Sequence, residues 1–496
     1  MFAPLSAVLA CAGAPEPTPI PPPRTPNLVV VSMDGFRADR AHFDGNPRPT
    51  TPNLDAFAAE GVRFPNAFSQ SNESLLSHAS LFTGRYASEV AWPDYMRFSV
   101  PPDATTLAEA MSAVGYDTAA FLAGGHIRAE FGFDQGFATF WESQDFGSFH
   151  ETVPPALAWI GERADPRPFL IVVHGYDLHR PYAHRSVFYH PFDADYTGPM
   201  EELVRDRVAT EKIFDGAYWP DHAREAFRHA KGMNMSDPAS YRRLVEASRR
   251  PGARKVPLTQ RDLDHMVAHY DAAVLTVDTY VGLLIEGLKK SGAWDDTLVI
   301  LTSDHGEDLQ THRFSNHRAV LFDSTSRVPF LVGGGALPAA ARGTTRPELV
   351  DATDLVPTAM ALAGSVPPAG TRGNDLGALL AGEPGAPTKD AVFQQGVLGQ
   401  SSVRTATHRL VFSGYALTDP TYGARLRDDP LDGGSFALYA VKEDPNELTD
   451  VLARDRAVAE DLRARLVAWY GSLRAGSERV EISPETRKML ADHGYW

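Results

Sequence analysis

The sequence predicts an α/β fold, a mostly parallel sheet sandwiched by helices, with a smaller C-terminal α+β unit. Three observations carry this expectation. Short apolar runs rich in β-branched residues recur at residues 27–33, 118–123, 169–173, 297–302 and 328–332, too short for helices and too continuous for strands with one wet face. Helical patterns lie between them, at residues 54–60, 107–114 and most clearly 262–290. Buried strands that alternate with helices build a parallel sheet covered on both sides. Composition permits a large core, because 43% of the 496 residues are hydrophobic and only 22% are charged.

Taken in order, residues 1–25 stand apart. Residues 1–10 are mainly apolar but too few to span a bilayer, and a run of prolines up to Arg24 reads as an extended tether. An apolar stretch, small residues and Cys11 before a tether resemble a bacterial lipoprotein signal, although Leu9 is large for its place and no Lys or Arg precedes the run. The resemblance implies an acylated Cys11, an exported protein of the bacterial cell envelope (periplasm or outer-membrane lipoprotein), and membrane contact only through that anchor. Residues 26–385 form the large domain. Within it, residues 183–257 break the strand–helix rhythm, aromatic-rich and then charged, as a lid or insertion would. Residues 386–496 form the C-terminal unit, where residues 409–412 and 436–439 read as hairpin strands and residues 456–470 as a helix.

Charge and cysteine content exclude several classes. Lys+Arg 47 against Asp+Glu 63 gives a net charge of −16, which repels polyanions, so no nucleic-acid partner is expected. A single cysteine permits no intramolecular disulfide and no multi-cysteine zinc site. Any metal must be held by His and carboxylates.

Ligands of open α/β sheets bind beyond the carboxyl ends of the strands. The first apolar run ends in Asp34, the third in His174 with Asp177 and His179 behind it, and the fourth in Ser303-Asp304-His305-Gly306-Glu307. An Asp after a strand is by itself an ordinary turn or helix cap. Three segments far apart in sequence that bring acids and imidazoles to one sheet edge make a divalent-metal site. A second cluster, Ser71-Asn72-Glu73-Ser74-Leu75-Leu76-Ser77-His78, precedes Thr83-Gly84-Arg85. With Ser71 or Asn72 as the cap and Gly84 as the stop, Ser74 falls in the first turn of a helix, where free N–H groups favour an anion. Ser77 and His78 would share its face. A hydroxyl there, beside a metal, is the arrangement of a nucleophile for an anionic ester.

These motifs resemble the sulfatases of the alkaline-phosphatase superfamily, over residues 26 to about 470. Residues 26–34 look like the family's first strand and metal Asp, and residues 51–64 like the segment that follows. Residues 74–85 are similar to the signature Cys/Ser-x-Pro-x-Arg that ends in Thr-Gly-Arg, and Asp177-Leu178-His179-Arg180-Pro181-Tyr182 is similar to Asp-Pro-His-x-Pro-Tyr. Residues 302–307, Arg327-Val328-Pro329, residues 354–358 and Asp444-Pro445-Asn446-Glu447 match further family motifs. The resemblance implies that Asp34, Ser74, Asp304 and His305 bind one divalent metal ion, with Ser74 also the nucleophile. It implies that His179 and His317 hold the anion or protonate the leaving oxygen. His78, His126, Asp177 and Asn316 are its further substrate-binding candidates.

Three departures shape the chemistry. Gly35 stands where the family usually has a second Asp. His305 replaces an Asn, which shifts preference from Ca²⁺ towards Mn²⁺ or Zn²⁺. Leu76 and His78 occupy the signature positions that direct oxidation of the nucleophile, so formylglycine is not expected and Ser74 should stay a serine. A serine sulfate ester cannot collapse to an aldehyde, whereas a serine phosphoryl ester is more readily opened by water. The sequence therefore leaves sulfate and phosphorus esters open, as sulfated or phosphorylated glycans, lipids or small molecules. The alternatives are a phosphodiesterase, phosphonate monoesterase or phosphotransferase of the superfamily, and an inactive sulfatase-like binding protein.

Overall fold

The computed structural model describes residues 25–90, 99–180, 182, 188, 191–203, 259–312, 317–318, 320–383, 385–396, 399–413, 421–473 and 483–492. Cys11, the tether, Asn316 and all of residues 183–257 except 188 and 191–203 lie outside the described residues.

The large sheet is built around β1 (Asn27–Met33), flanked by β6 (Phe169–Gly175) and β7 (Thr297–Thr302), both parallel to it. Outside β6 lie β4 (Asp117–Leu122) and β5 (Thr139–Glu142), also parallel. Outside β7 the sheet turns antiparallel through β8 (Phe330–Gly333) and ends in the short β2 (Val62–Arg63) and β9 (Thr344–Thr345). The order is β5-β4-β6-β1-β7-β8-β2-β9.

The continuous apolar run of β1 has a physical cause. Leu28 and Val30 feed one hydrophobic core, while Val29, Val31 and Met33 feed another on the opposite face, so successive side chains are buried on both sides. Helix α1 (Pro52–Glu60) and the 31-residue helix Gln260–Lys290 cover the second core. Helix α2 (Ser74–Thr83) and the helix Leu355–Leu362 cover the first. Every residue of α2 is buried, including the polar face of Ser74, Ser77 and His78, which is turned into the protein rather than to solvent.

The cap of α2 differs from the expectation. Glu73, not Ser71 or Asn72, is the N-cap, and its Oε2 accepts from the Leu75 N–H at 3.1 Å. Asn72 is occupied elsewhere: its side-chain amide donates to the carbonyls of His317 at 2.9 Å and Val320 at 2.6 Å. Ser71 is bound to the Ser77 hydroxyl through its backbone. Gly84 ends the helix with φ +65°, the left-handed turn that lacks a steric penalty only for glycine.

A four-stranded antiparallel sheet follows: β11 (Ala391–Gln395), β12 (Ser401–Thr405), β13 (Arg409–Phe412) and β14 (Phe436–Tyr439). A two-stranded parallel piece joins β3 (Ala67–Phe68), which follows β2, to β10 (Val350–Asp351), which follows β9. Strands β13 and β14 pair as the sequence suggests, but no tight hairpin joins them, because the helix Tyr422–Asp428 lies in their connection. The helix Arg456–Ser472 packs on this sheet through Leu462, Leu466 and Trp469. Two of the closing motifs hold the fold together. Asp354 pairs with Lys389 at 2.7 Å, and Glu447 with the buried Arg409 at 2.8 Å. Arg409 also binds Asp323, tying the small sheet to the loop that follows His317.

Candidate active site

Register fixes which residues meet. Ser32 of β1 stands opposite His174 of β6 and Thr302 of β7, so Asp34, His174 and the pair Asp304–His305 leave the sheet at one level. Gly35, with φ +72°, turns the chain immediately after Asp34 and donates its N–H to Asp304 Oδ1 at 3.1 Å. The Tyr270 hydroxyl on the long helix donates to the Gly35 carbonyl at 2.6 Å. A glycine suits this left-handed position, which gives a backbone reason for the absent second Asp.

Helix α2 enters with Ser74 in its first turn. The Ser74 hydroxyl donates to Asp34 Oδ2 at 2.8 Å and lies 3.1 Å from His305 Nε2. His305 Nδ1 is 2.8 Å from the Gly306 carbonyl, an acceptor only, so it carries the proton and Nε2 presents a lone pair to the centre. The metal-ligating atoms of Asp34, Asp304 and His305 all lie within 4.8 Å of one another, and all three residues are buried. Asp304 Oδ2 is buried without a hydrogen-bond donor. A dry carboxylate oxygen among a second carboxylate and an imidazole lone pair fits a divalent cation, and the N/O donor set suits Mn²⁺ or Zn²⁺ as well as Ca²⁺. Burial by itself raises the Asp304 carboxyl, but His305 and His78 outweigh it and hold the group below the usual carboxylate range.

The imidazoles fall into layers. His317 is stacked on His305, centroids 4.0 Å apart, and its ring lies 5.5 Å from that of His179. Its Nδ1 is 3.5 Å from Glu307 Oε2, and its Nε2 is buried without a hydrogen bond. Burial pushes His317 well below the ordinary imidazole range, and the charge of Arg180 adds to this, so the neutral ring is favoured. Burial raises Glu307 to about 7, against the pull of Arg180 and His305. His179, 7% exposed, places Nδ1 3.2 Å from the Arg180 carbonyl.

Of the further substrate-binding candidates, His78 comes first. It lies inside the core, its Nδ1 donating to the Ser74 carbonyl at 2.8 Å and its Nε2 accepting from the Ser32 hydroxyl at 2.9 Å. Burial lowers its pKa, and both ring nitrogens have partners, one of them on the first turn of α2. Asp177 Oδ2 accepts the Phe149 N–H at 2.9 Å, at the start of the helix Phe149–Glu162. His126 is buried with Nδ1 3.1 Å from Glu73 Oε1, which links it to the cap of α2.

The sequence reading left four neighbours without a role. His174 lies with Nε2 3.7 Å from Asp34 Oδ2, edge-on to His78 and Tyr176, and neither ring nitrogen has a hydrogen bond. Burial first, then His78, holds it neutral. Glu307, Glu73 and Arg180 adjoin residues already singled out, so adjacency to His305, Ser74 and His179 was the available signal. For His174 it was position at a strand end.

Comparison with known proteins agrees with this frame. The family model described as Sulfatase matches residues 26–365. The Ulvan-active sulfatase of Formosa agariphila is 25% identical over 376 residues, covering 72% of this chain and 65% of that protein. The N-acetylglucosamine-6-O-sulfatase of Bacteroides thetaiotaomicron is 23% identical over 485 residues, covering 87% of this chain and 83% of that protein. Against the first three curated relatives, the aligned part spans 65%, 55% and 40% of the relative's length. In fold, the chain is similar to the phosphonate monoester hydrolase of Agrobacterium radiobacter, with TM-score 0.64 and 20% identity over 90% of this chain and 95% of that one.

Proposed function

The chain belongs to the sulfatase family of the alkaline-phosphatase superfamily, and from that premise we propose that it is a metal-dependent ester hydrolase whose nucleophile is the unmodified hydroxyl of Ser74. The observation that carries this reading is the contact of one hydroxyl with two of the metal-binding groups, Asp34 and His305. A divalent ion held by Asp34, Ser74, Asp304 and His305 would lower the pKa of the Ser74 hydroxyl and polarise the ester oxygens.

The protein's own groups supply the remaining functions. Asp34 Oδ2 orients the Ser74 hydroxyl and accepts its proton. Ser74 Oγ then bonds to the sulfur or phosphorus atom as the ester oxygen departs. That oxygen takes its proton from His179, and the neutral His317 beside it offers an N–H to hold the substrate anion. Arg180, whose charge acts on His317 and Glu307, supplies a cation for the substrate anion. Water opens the serine ester in a second step and releases the anion. The first turn of α2 favours negative charge beside Ser74 throughout.

The substrate is a sulfated or phosphorylated carbohydrate or small ester. The names of the Ulvan-active and N-acetylglucosamine-6-O-sulfatases support sulfated glycans. The plain serine and the fold shared with a phosphonate monoester hydrolase support phosphorus esters. Attachment to the cell envelope through Cys11 belongs to the same proposal. The test compares rates on p-nitrophenyl sulfate, p-nitrophenyl phosphate, p-nitrophenyl phenylphosphonate and bis-p-nitrophenyl phosphate, with the mass of the Ser74 peptide measured alongside. Turnover of at least one ester with a serine mass is expected. A formylglycine mass, or no turnover of any of the four with metal supplied, overturns it.

A further inference from the structure

A second set of ligand atoms converges on the long helix Gln260–Lys290, and none of its residues belongs to the site around Ser74. His265 and His269 lie one helical turn apart, both buried, with their Nε2 atoms 3.0 Å from each other. Glu201, on the short helix Met200–Leu203, brings Oε2 to 3.3 Å from His265 Nε2. The three ligand atoms lie within 4.8 Å of one another. Histidines at i and i+4 on one helix face form a natural chelating pair.

The surroundings fix the orientation of His265. Its Nδ1 is 2.7 Å from Asp193 Oδ2. Asp193 is itself held as a carboxylate by Arg261, whose guanidinium donates at 2.6 Å. His265 Nδ1 is thereby directed at Asp193, and Nε2 faces Glu201 and His269. Tyr196 stacks on the ring with centroids 3.7 Å apart and planes at 15°, and its hydroxyl donates to Asp262. A carboxylate behind an imidazole, with the ring clamped in one plane, is how proteins orient a metal-ligating histidine.

We propose that His265 Nε2, His269 Nε2 and Glu201 Oε2 form a second metal site, selective for Zn²⁺, that fastens the helix Met200–Leu203 to the long helix. Two imidazoles and one carboxylate are a zinc donor set, too rich in nitrogen for Ca²⁺ or Mg²⁺. The test isolates this site by disabling the one around Ser74. Full-length protein carrying Asp34→Asn and Asp304→Asn is stripped of metal, titrated with Zn²⁺ against a chromogenic chelator, and then with Co²⁺ while visible absorption is read. One tight Zn²⁺ per chain and the d–d bands of nitrogen-ligated Co²⁺ are expected. Adding His265→Gln and His269→Gln should abolish both. Glu201→Gln, on the gentler edge of the cluster, should weaken Zn²⁺ by at least about tenfold with an unchanged metal-free melting curve. Absence of tight Zn²⁺ in the Asp34→Asn/Asp304→Asn protein overturns the proposal. So does zinc binding that survives loss of both histidines, or, should that variant misfold, affinity unmoved by Glu201→Gln.

Discussion

The Ser74 hydroxyl donates to Asp34 Oδ2 across 2.8 Å although 40 residues separate the two in sequence. One partner is the first residue beyond the central strand β1 and the other opens α2. Their meeting turns a helix N-terminus and a strand end into a single reactive centre.

Ser74→Ala should reduce turnover of aryl esters by about 10³-fold or more. The change removes one oxygen from a buried site and leaves the Glu73 cap in place, so the thermal midpoint should hardly move. Steady-state rates and a melting curve on the same sample check this. Persistent turnover would sink the assignment of the nucleophile.

Chelation should stop catalysis, and His174 should govern how readily. Its ring stands beside Asp34 with no hydrogen bond of its own. His174→Phe keeps the aromatic packing on His78 and Tyr176 but removes the polar edge. Metal affinity should weaken by about 10–100-fold, read as the metal concentration that restores activity to the stripped enzyme. An unchanged restoration curve would remove His174 from the metal's surroundings.

Arg409 is buried among Asp323, Glu447 and Gln394. Arg409→Met should cost about 3–5 kcal/mol, because it strands the buried Glu447 without its cation and leaves Asp323 to Arg404. Burial already raises Glu447 to about 7, so Glu447→Gln in the same chain should recover part of the loss. Denaturant unfolding of wild type, single and double variants measures both.

His312 gives stability a pH dependence. Its Nδ1 is 2.6 Å from Asp308 and its Nε2 2.8 Å from the Asn446 carbonyl, joining the loop after β7 to the C-terminal unit. Burial opposes its protonation, but the Asp308 hydrogen bond and charge prevail and raise its pKa above 6.5. The folded state thus binds the proton more tightly than the unfolded chain. The contribution is complete below about pH 6.5 and fades as pH rises through the raised value. Melting midpoints from pH 5 to 9 should fall more steeply for wild type than for His312→Gln. Parallel curves would refute it.

Local sequence made much of the fold and the site legible, for reasons visible in β1. Five of its seven side chains enter two cores on opposite faces, so a parallel strand had to read as an unbroken apolar run, and Asp34 had to stand out at its end. The same holds for Asp304 and His305 after β7. The long helix declared itself through its apolar period, but the pair His265 and His269 went unread, because two histidines on a helix mean nothing until Glu201 and Asp193 arrive from another segment.

The sequence by itself therefore determined the strand–helix alternation, the residues at the strand ends and the serine at the start of α2, since these follow from burial period and helix chemistry over a few neighbouring positions. Only the tertiary structure decided which polar groups face which. It turned His78 inward onto the Ser74 carbonyl, bound Asp177 to the Phe149 N–H, and used Asn72 to carry His317 onto His305. A buried polar atom must find a partner, and which partner it finds depends on packing among segments that lie far apart in the chain.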